Sequence, residues 1–160
     1  MQQTAGVAVR QTVTVEVPPE RAFAVFTADL ASWWPLEAYH IGAQPAVAVV
    51  VEPRAGGRWY ERAADGSECD WGRVQAWEPP HRVVLAWQIS AEWQPDPGLH
   101  TEIEVRFAAE DGDRTRVELE HRGLEAYGER AQQMRDTFGS PDGWAGLLKR
   151  FAATAAADER

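Results

Sequence analysis

Val13, Val15 and Val17 alternate with Thr12, Thr14 and Glu16, the period of a strand with one buried face. This pattern predicts a first strand over Val7 to Val17. At "PPERAFAVFTADLASWW" the period changes. Ala22, Phe23, Val25, Phe26 and Leu30 follow helical spacing, and Pro19 suits a first helical turn. One or two short helices are therefore predicted to end near Trp34 and Pro35. "PLEAYHIGAQP" reads as a loop. A run of strands follows: "AVAVVVEP", a segment from Arg58, "ECDWGRVQAW", "RVVLAWQI", "LHTEIEVRF" and "RTRVELEH". Turns are predicted at Gly56-Gly57, "ADGS" and "EDGD", and Pro79-Pro80 stops a strand. Val83, Leu85, Trp87 and Ile89 share one face. Leu99, Ile103, Val105 and Phe107 share another, and so do Val117 and Leu119.

The C-terminal part returns to helical spacing. "LEAYGERAQQMRDTF" is moderately helical. In "SPDGWAGLLKRFAATAAA", Trp144, Leu147, Leu148, Phe151, Ala152 and Ala155 form one apolar stripe. Ser140 is the expected N-cap and Pro141 the expected first residue. The tail "DER" is expected to fray. Hairpin connections imply an antiparallel sheet. A long amphipathic helix can cover its apolar face. The class is α+β, with room for a cavity between sheet and helix.

The chain has 160 residues, which suggests one domain spanning residues 1–160. Its formal net charge of -9 argues against a nucleic-acid partner, because phosphate backbones reward clustered Lys and Arg. No apolar run is long enough for membrane insertion. The first residues show no secretory pattern, so a cytoplasmic location is expected. One cysteine excludes an intramolecular disulfide and a cysteine-rich zinc site. No cofactor is expected, since "RAGGRW" lacks the spacing and Lys of a phosphate cradle. The eight tryptophans are the unusual feature. They are scattered along the chain, so a fold that gathers them makes either a bulky core or an aromatic-walled pocket.

"VPPERAFAVFT", Trp33-Trp34, "EPRAGGRWYE", "GRVQAWEPPHRVVLAW" and "GWAGLLKRF", in this order, resemble the START-like (SRPBCC) superfamily with the helix-grip fold. Within it they resemble bacterial relatives of the heat-shock protein 90 ATPase activator domain. The resemblance runs from about Val13 to Phe151. It implies a curved seven-stranded antiparallel sheet wrapped around the long C-terminal helix, two short helices after strand 1, and a cavity between sheet and helix. Members of the superfamily include lipid and steroid carriers, polyketide cyclases and hormone receptors. The eukaryotic activator domain docks on a chaperone.

Cys69 has Asp70 beside it, which opposes a thiolate, so it reads as structural. His40, His81, His100 and His121 match no metal spacing. His81 is expected in an exposed turn. His121, in phase with Val117 and Leu119, should face inward as a core-edge residue, a polar contact at the pocket or a general base. Glu61 shares a face with Trp59. The facing of Asp70 and Arg73 stays open, because a bulge at Gly72 would reset the phase of the strand. Trp87 and Trp144 are predicted to face inward. Trp59 and Trp71 are expected to face inward across the "ADGS" hairpin, and Trp33, Trp34 and Trp93 to lie near an entrance. The predicted cavity set is Trp34, Trp59, Glu61, Trp71, Trp87, Trp93, Phe107, His121, Trp144, Leu148 and Phe151. Three functions follow: binding of a small hydrophobic or aromatic molecule, cyclase- or hydrolase-like catalysis through Glu61, Asp70 or His121, and chaperone interaction. Ligand binding is the expected one.

Overall fold

A computed structural model describes residues 8–36, 39–42 and 44–157. The expectations for Val7, for Glu37, Ala38 and Ala43 in the loop, and for the tail from Asp158 lie outside the described residues. The strands are β1 (Ala8–Val15), β2 (Ala46–Val51), β3 (Arg58–Ala63), β4 (Glu68–Glu78), β5 (Arg82–Trp87), β6 (Thr101–Glu110) and β7 (Arg114–Arg122). They form one seven-stranded sheet in the order β1-β7-β6-β5-β4-β3-β2. Every neighbouring pair is antiparallel. From β2 onward each strand pairs with the next in sequence, and β1 closes against β7. The fold is the curled α+β sheet with a C-terminal helix that the pattern predicted.

Helix α1 (Pro19–Thr27) and a short 3₁₀ turn (Leu30–Ser32) fill one end of the concave face. Phe23 and Phe26 of α1 pack on Phe107, with ring centroids 5.2 and 5.9 Å apart. Phe26 also meets Phe151, at 5.3 Å. After β7 a 3₁₀ segment (Leu124–Arg130) leads into α2 (Ala131–Phe138), then α3 (Trp144–Ala157) crosses the sheet. Trp144, Leu147, Leu148, Phe151 and Ala155 form the buried stripe of α3.

Helix α3 starts later than its sequence signals predict. The Ser140 hydroxyl donates to the Thr137 carbonyl instead of accepting from a helical N–H. Gly143 N–H donates to the Ser140 carbonyl. Residues 140–143 are thus a turn closing the end of α2, and the helix begins at Trp144.

On the convex face, Val84 and Ala86 are buried beneath long charged side chains. Glu104 accepts from Arg82 at 2.6 Å and from Arg122, and Arg106 lies 2.7 Å away. Burial pushes the Glu104 carboxyl up. The Arg82 and Arg122 hydrogen bonds, with the charges of Arg106 and Arg122, outweigh it and hold the group down at about 2.

Gly72 settles the facing of its neighbours. Trp59 pairs with Gly72, but Tyr60 pairs with Asp70. Trp71 is therefore the extra residue of a bulge in β4. The bulge turns Trp71 into the core and leaves Asp70 and Arg73 both exposed on the convex side. There Asp70 accepts from Arg58 at 2.7 Å.

Candidate functional site

The concave half that α1 does not fill holds a cavity of about 360 Å³. Its walls are aromatic. Trp34 meets Trp71 at 5.2 Å and Trp144 at 6.0 Å. Trp87 meets Trp144 at 6.2 Å and Phe138 at 5.5 Å. Ile41, Ile89 and Leu147 complete the apolar lining. Trp93, 41% exposed, stands at the mouth with its ring 6.2 Å from Phe138.

Four lining indoles have their N–H groups tied to the scaffold. Trp71 donates to Glu61 Oε1 at 2.8 Å. Trp34 donates to the Tyr39 carbonyl at 2.9 Å. Trp87 donates to the Tyr127 hydroxyl at 3.0 Å, which donates to the Ile89 carbonyl at 2.7 Å. Trp144 donates to His121 Nδ1 at 3.1 Å. With their polar ends engaged, these rings offer a ligand their apolar surfaces.

The polar lining groups lie in two segments, Tyr39-His40 and Thr137 to Asp142. The Tyr39 hydroxyl donates to the Asp142 carbonyl at 2.9 Å, joining the two segments. His40 Nδ1 lies 3.1 Å from the Gly42 carbonyl. A carbonyl only accepts, so Nδ1 carries the hydrogen. In the neutral ring Nε2 is then left as the basic nitrogen.

Of the predicted cavity residues, Trp34, Trp71, Trp87, Trp93 and Trp144 line the cavity, and the other six do not. Phe107 and Phe151 both pack on Phe26 of α1: alternation gives the face of β6, and helical spacing the face of α3, but neither gives the position along the element. Trp33, expected at the entrance, is also buried there, with its N–H on the Val25 carbonyl. Leu148 is core. Trp59 lies behind Trp71 and Trp87, with ring centroids 5.5 and 5.7 Å away. Glu61 is buried behind Trp71. Its carboxylate accepts Ile41 N–H at 2.6 Å, Gly42 N–H at 2.9 Å and the Trp71 indole. The cavity residues the sequence reading missed are Tyr39, His40, Ile41, Ile89, Leu147 and, from the end of α2 to the start of α3, Thr137, Phe138, Ser140, Asp142 and Gly143. Tyr39 and Ile41, bulky residues in a proline-bounded loop, were the available signal. Asp70 is on the opposite face. Among the described residues no acidic, Cys or His group is placed to hold a metal. No helix among them is long and apolar enough to cross a membrane.

His121 is fully buried and spent on structure. Nδ1 accepts from Trp144, so Nε2 carries the hydrogen and donates to Thr101 Oγ1 at 3.1 Å. Thr101 in turn donates to the Trp87 carbonyl. Burial pushes the imidazole down to about 3, against about 6.5 in an unfolded chain. Between these values the unfolded chain binds a proton that the folded chain does not. Stability is therefore full above about pH 6.5 and falls as pH drops toward 3, by up to about 1.4 kcal/mol per pH unit. Glu104 adds its own loss only as pH falls below its ordinary value of 4.5 toward 2. Urea unfolding between about pH 6.5 and 5 thus isolates the histidine, and His121→Gln is expected to flatten that slope.

A family model described as "Activator of Hsp90 ATPase homolog 1-like protein" matches residues 16–156. Among solved structures, the anthrahydroquino-γ-pyrone synthase Txn09, complexed with SUM, is 38% identical. The match covers 91% of this chain and 95% of that one, with a TM-score of 0.64. The self-sacrificing resistance protein CalC from Micromonospora echinospora is 28% identical over 94% of this chain and 95% of its own, with a TM-score of 0.72. A protein from Nitrosomonas europaea shares the fold at 13% identity, with full coverage of both chains and a TM-score of 0.69. No curated protein matches the chain.

Proposed function

The chain belongs to the family of activator of Hsp90 ATPase homolog 1-like proteins, and from that premise we propose that this member binds a flat, mainly apolar aromatic molecule between the sheet and α3. The observation that carries this reading is the 360 Å³ cavity with five tryptophans in its wall. Its size falls at the lower end for small-molecule sites, and a wall of tilted and edge-to-face indoles favours a rigid fused-ring ligand over a flexible chain. The polar lining of Tyr39, His40 and Asp142 gives such a ligand a place for its hydroxyl or charged edge. Support also comes from the 38% identical protein, which is an anthrahydroquino-γ-pyrone synthase.

The test is quenching of intrinsic tryptophan fluorescence, with calorimetry, across fused-ring aromatics, sterols and fatty acids. Saturable micromolar binding confined to the aromatics is expected. Uniform absence of binding would overturn the reading.

Catalysis on the bound ligand is a second reading, favoured by the free Nε2 that the His40 geometry gives. Its test is the visible spectrum of bound alizarin, which shifts when a phenol ionises. The shift is expected in the native protein and not in His40→Gln. An identical shift in both would remove His40 as a proton acceptor. Chaperone activation, which the family description names, is the rival use of the fold. Under the ligand-binding reading this protein leaves the ATPase rate of Hsp90 unchanged, and stimulation of that rate would favour the rival.

A further inference from the structure

The turn "SAEWQ" (Ser90 to Gln94) carries Trp93 at the cavity mouth. The Trp93 N–H donates to the Ser90 carbonyl at 2.9 Å, and the Ser90 N–H donates to the Gln94 carbonyl at 2.8 Å. Ile89 and Pro95 bridge just outside this turn. The result is a three-residue hairpin loop. In that geometry the third residue takes the left-handed conformation, and glycine suits it best. Here the third residue is Trp93, with φ 62. Among the described residues Asp113 is the only other non-glycine residue with positive φ, and aspartate's short polar side chain tolerates that region. Tryptophan has no such help, so the Trp93 backbone is strained.

The surroundings hold the strained turn in place. Ser90 Oγ accepts from the Glu92 N–H at 3.2 Å and from the Gln94 N–H at 3.3 Å. The Glu92 carboxylate accepts from Arg130 at 2.9 Å, which ties the turn to the segment before α2. The Asp96 N–H donates to the Gln88 carbonyl at 2.8 Å. The ring held this way is left exposed. Tyr39, Val47 and Trp93 are the exposed large hydrophobic residues among those described, and Tyr39 and Trp93 both line the cavity. The other four lining indoles are tied by their N–H groups. Trp93 is placed by its backbone instead. Strain at a bulky residue and exposure of its ring are both unfavourable until something covers that ring.

Resting on the ligand-binding reading above, we propose that Trp93 is a ligand-clamping residue whose indole lies against the flat outer ring of the bound aromatic molecule. No rearrangement is needed, because Trp93 already lines the cavity. Phe138 meets both Trp93, at 6.2 Å, and the buried Trp87, at 5.5 Å. A fused-ring ligand seated at Phe138 therefore reaches both indoles. The ligand class narrows to polycyclic molecules with one ring left at the mouth.

The test is calorimetry with anthraquinone-2-sulfonate on the full chain, paired with melting midpoints. Trp93→Gly is expected to weaken binding about tenfold, the effect of losing one stacked ring. Its midpoint is expected to stay within about 3 °C of the native one, because relief of the backbone strain offsets the lost packing. Trp93→Ala should melt about 2–4 °C below Trp93→Gly, since alanine keeps the strain and loses the ring. Trp93→Phe keeps a flat ring and should bind within about threefold of native, whereas Trp93→Leu should bind as weakly as Trp93→Gly. Equal affinity in native protein and Trp93→Gly would overturn the inference and leave ligand binding standing. So would a midpoint loss above about 6 °C in Trp93→Gly, which would make the ring part of the core, or leucine binding as well as phenylalanine. An alanine variant that melts above the glycine variant would remove the strain on which the inference rests. Failure of the native protein to bind any fused-ring aromatic counts against the ligand-binding reading itself.

Discussion

Gly72→Ala is expected to destabilise the fold by about 3 kcal/mol or more, lowering the melting midpoint by about 10 °C. A Cβ at this position would lie 1.7 Å from the Ala86 carbonyl oxygen and 2.8 Å from the Ala86 carbonyl carbon. Both contacts are to backbone, so no side chain can rotate away, and β4 would have to separate from β5. Gly66→Ala is the control. Gly66 has φ +89 with nothing near its would-be Cβ, so alanine there meets only conformational strain, about 1 kcal/mol. Urea unfolding of both variants gives the comparison. Equal losses would show that the close approach at Gly72 is relieved by small shifts, and that the bulge is not what needs glycine.

The same glycine shows where sequence reading stops. Alternation identified the inward faces of β5 and β7, so Trp87 and His121 lie where their neighbours' phase put them. Alternation cannot carry through a bulge. At Trp71 one extra residue shifts the phase, and Arg73 moves to the face that Asp70 already occupies. Position along a strand is equally invisible. Phe107 and Trp87 both face inward, yet α1 covers the first while the second lines the cavity. That distinction depends on where α1 lands, a tertiary fact with no local signature. The helix start was misread for a similar reason. Ser140 and Pro141 are good starting residues, but the end of α2 claims the Ser140 hydroxyl first. The aromatic wall was legible because tryptophans are few in most chains and bulky wherever they sit. The polar lining was not, because Tyr39, His40 and Asp142 come from loops without periodicity.

Glu61 was expected in the cavity, and its position behind the wall gives it a larger expected effect than a ligand contact would. Its carboxylate is the acceptor for two consecutive loop amides and for the Trp71 indole. Glu61→Ala strands all three donors and opens a void, and is expected to cost about 3 kcal/mol or more. Glu61→Gln is the sharper variant. The amide keeps one oxygen but turns an NH₂ toward an N–H, so one bond is replaced by a donor facing a donor. A stability loss of about 1–2 kcal/mol is expected, which leaves the variant folded at room temperature. Its consequence for binding should be larger than for folding. Ile41 and the Trp71 ring are lining groups, and both are oriented by the oxygens that glutamine alters. Anthraquinone-2-sulfonate is therefore expected to bind about tenfold more weakly, about 1.4 kcal/mol. Amide hydrogen exchange separates positioning from general loosening. Exchange at Ile41 and Gly42 should accelerate in Glu61→Gln while the β5 and β6 amides stay protected. Unchanged exchange at those two amides, with affinity still reduced, would mean that Glu61 acts on the ligand by some route other than holding the loop and the Trp71 ring in place.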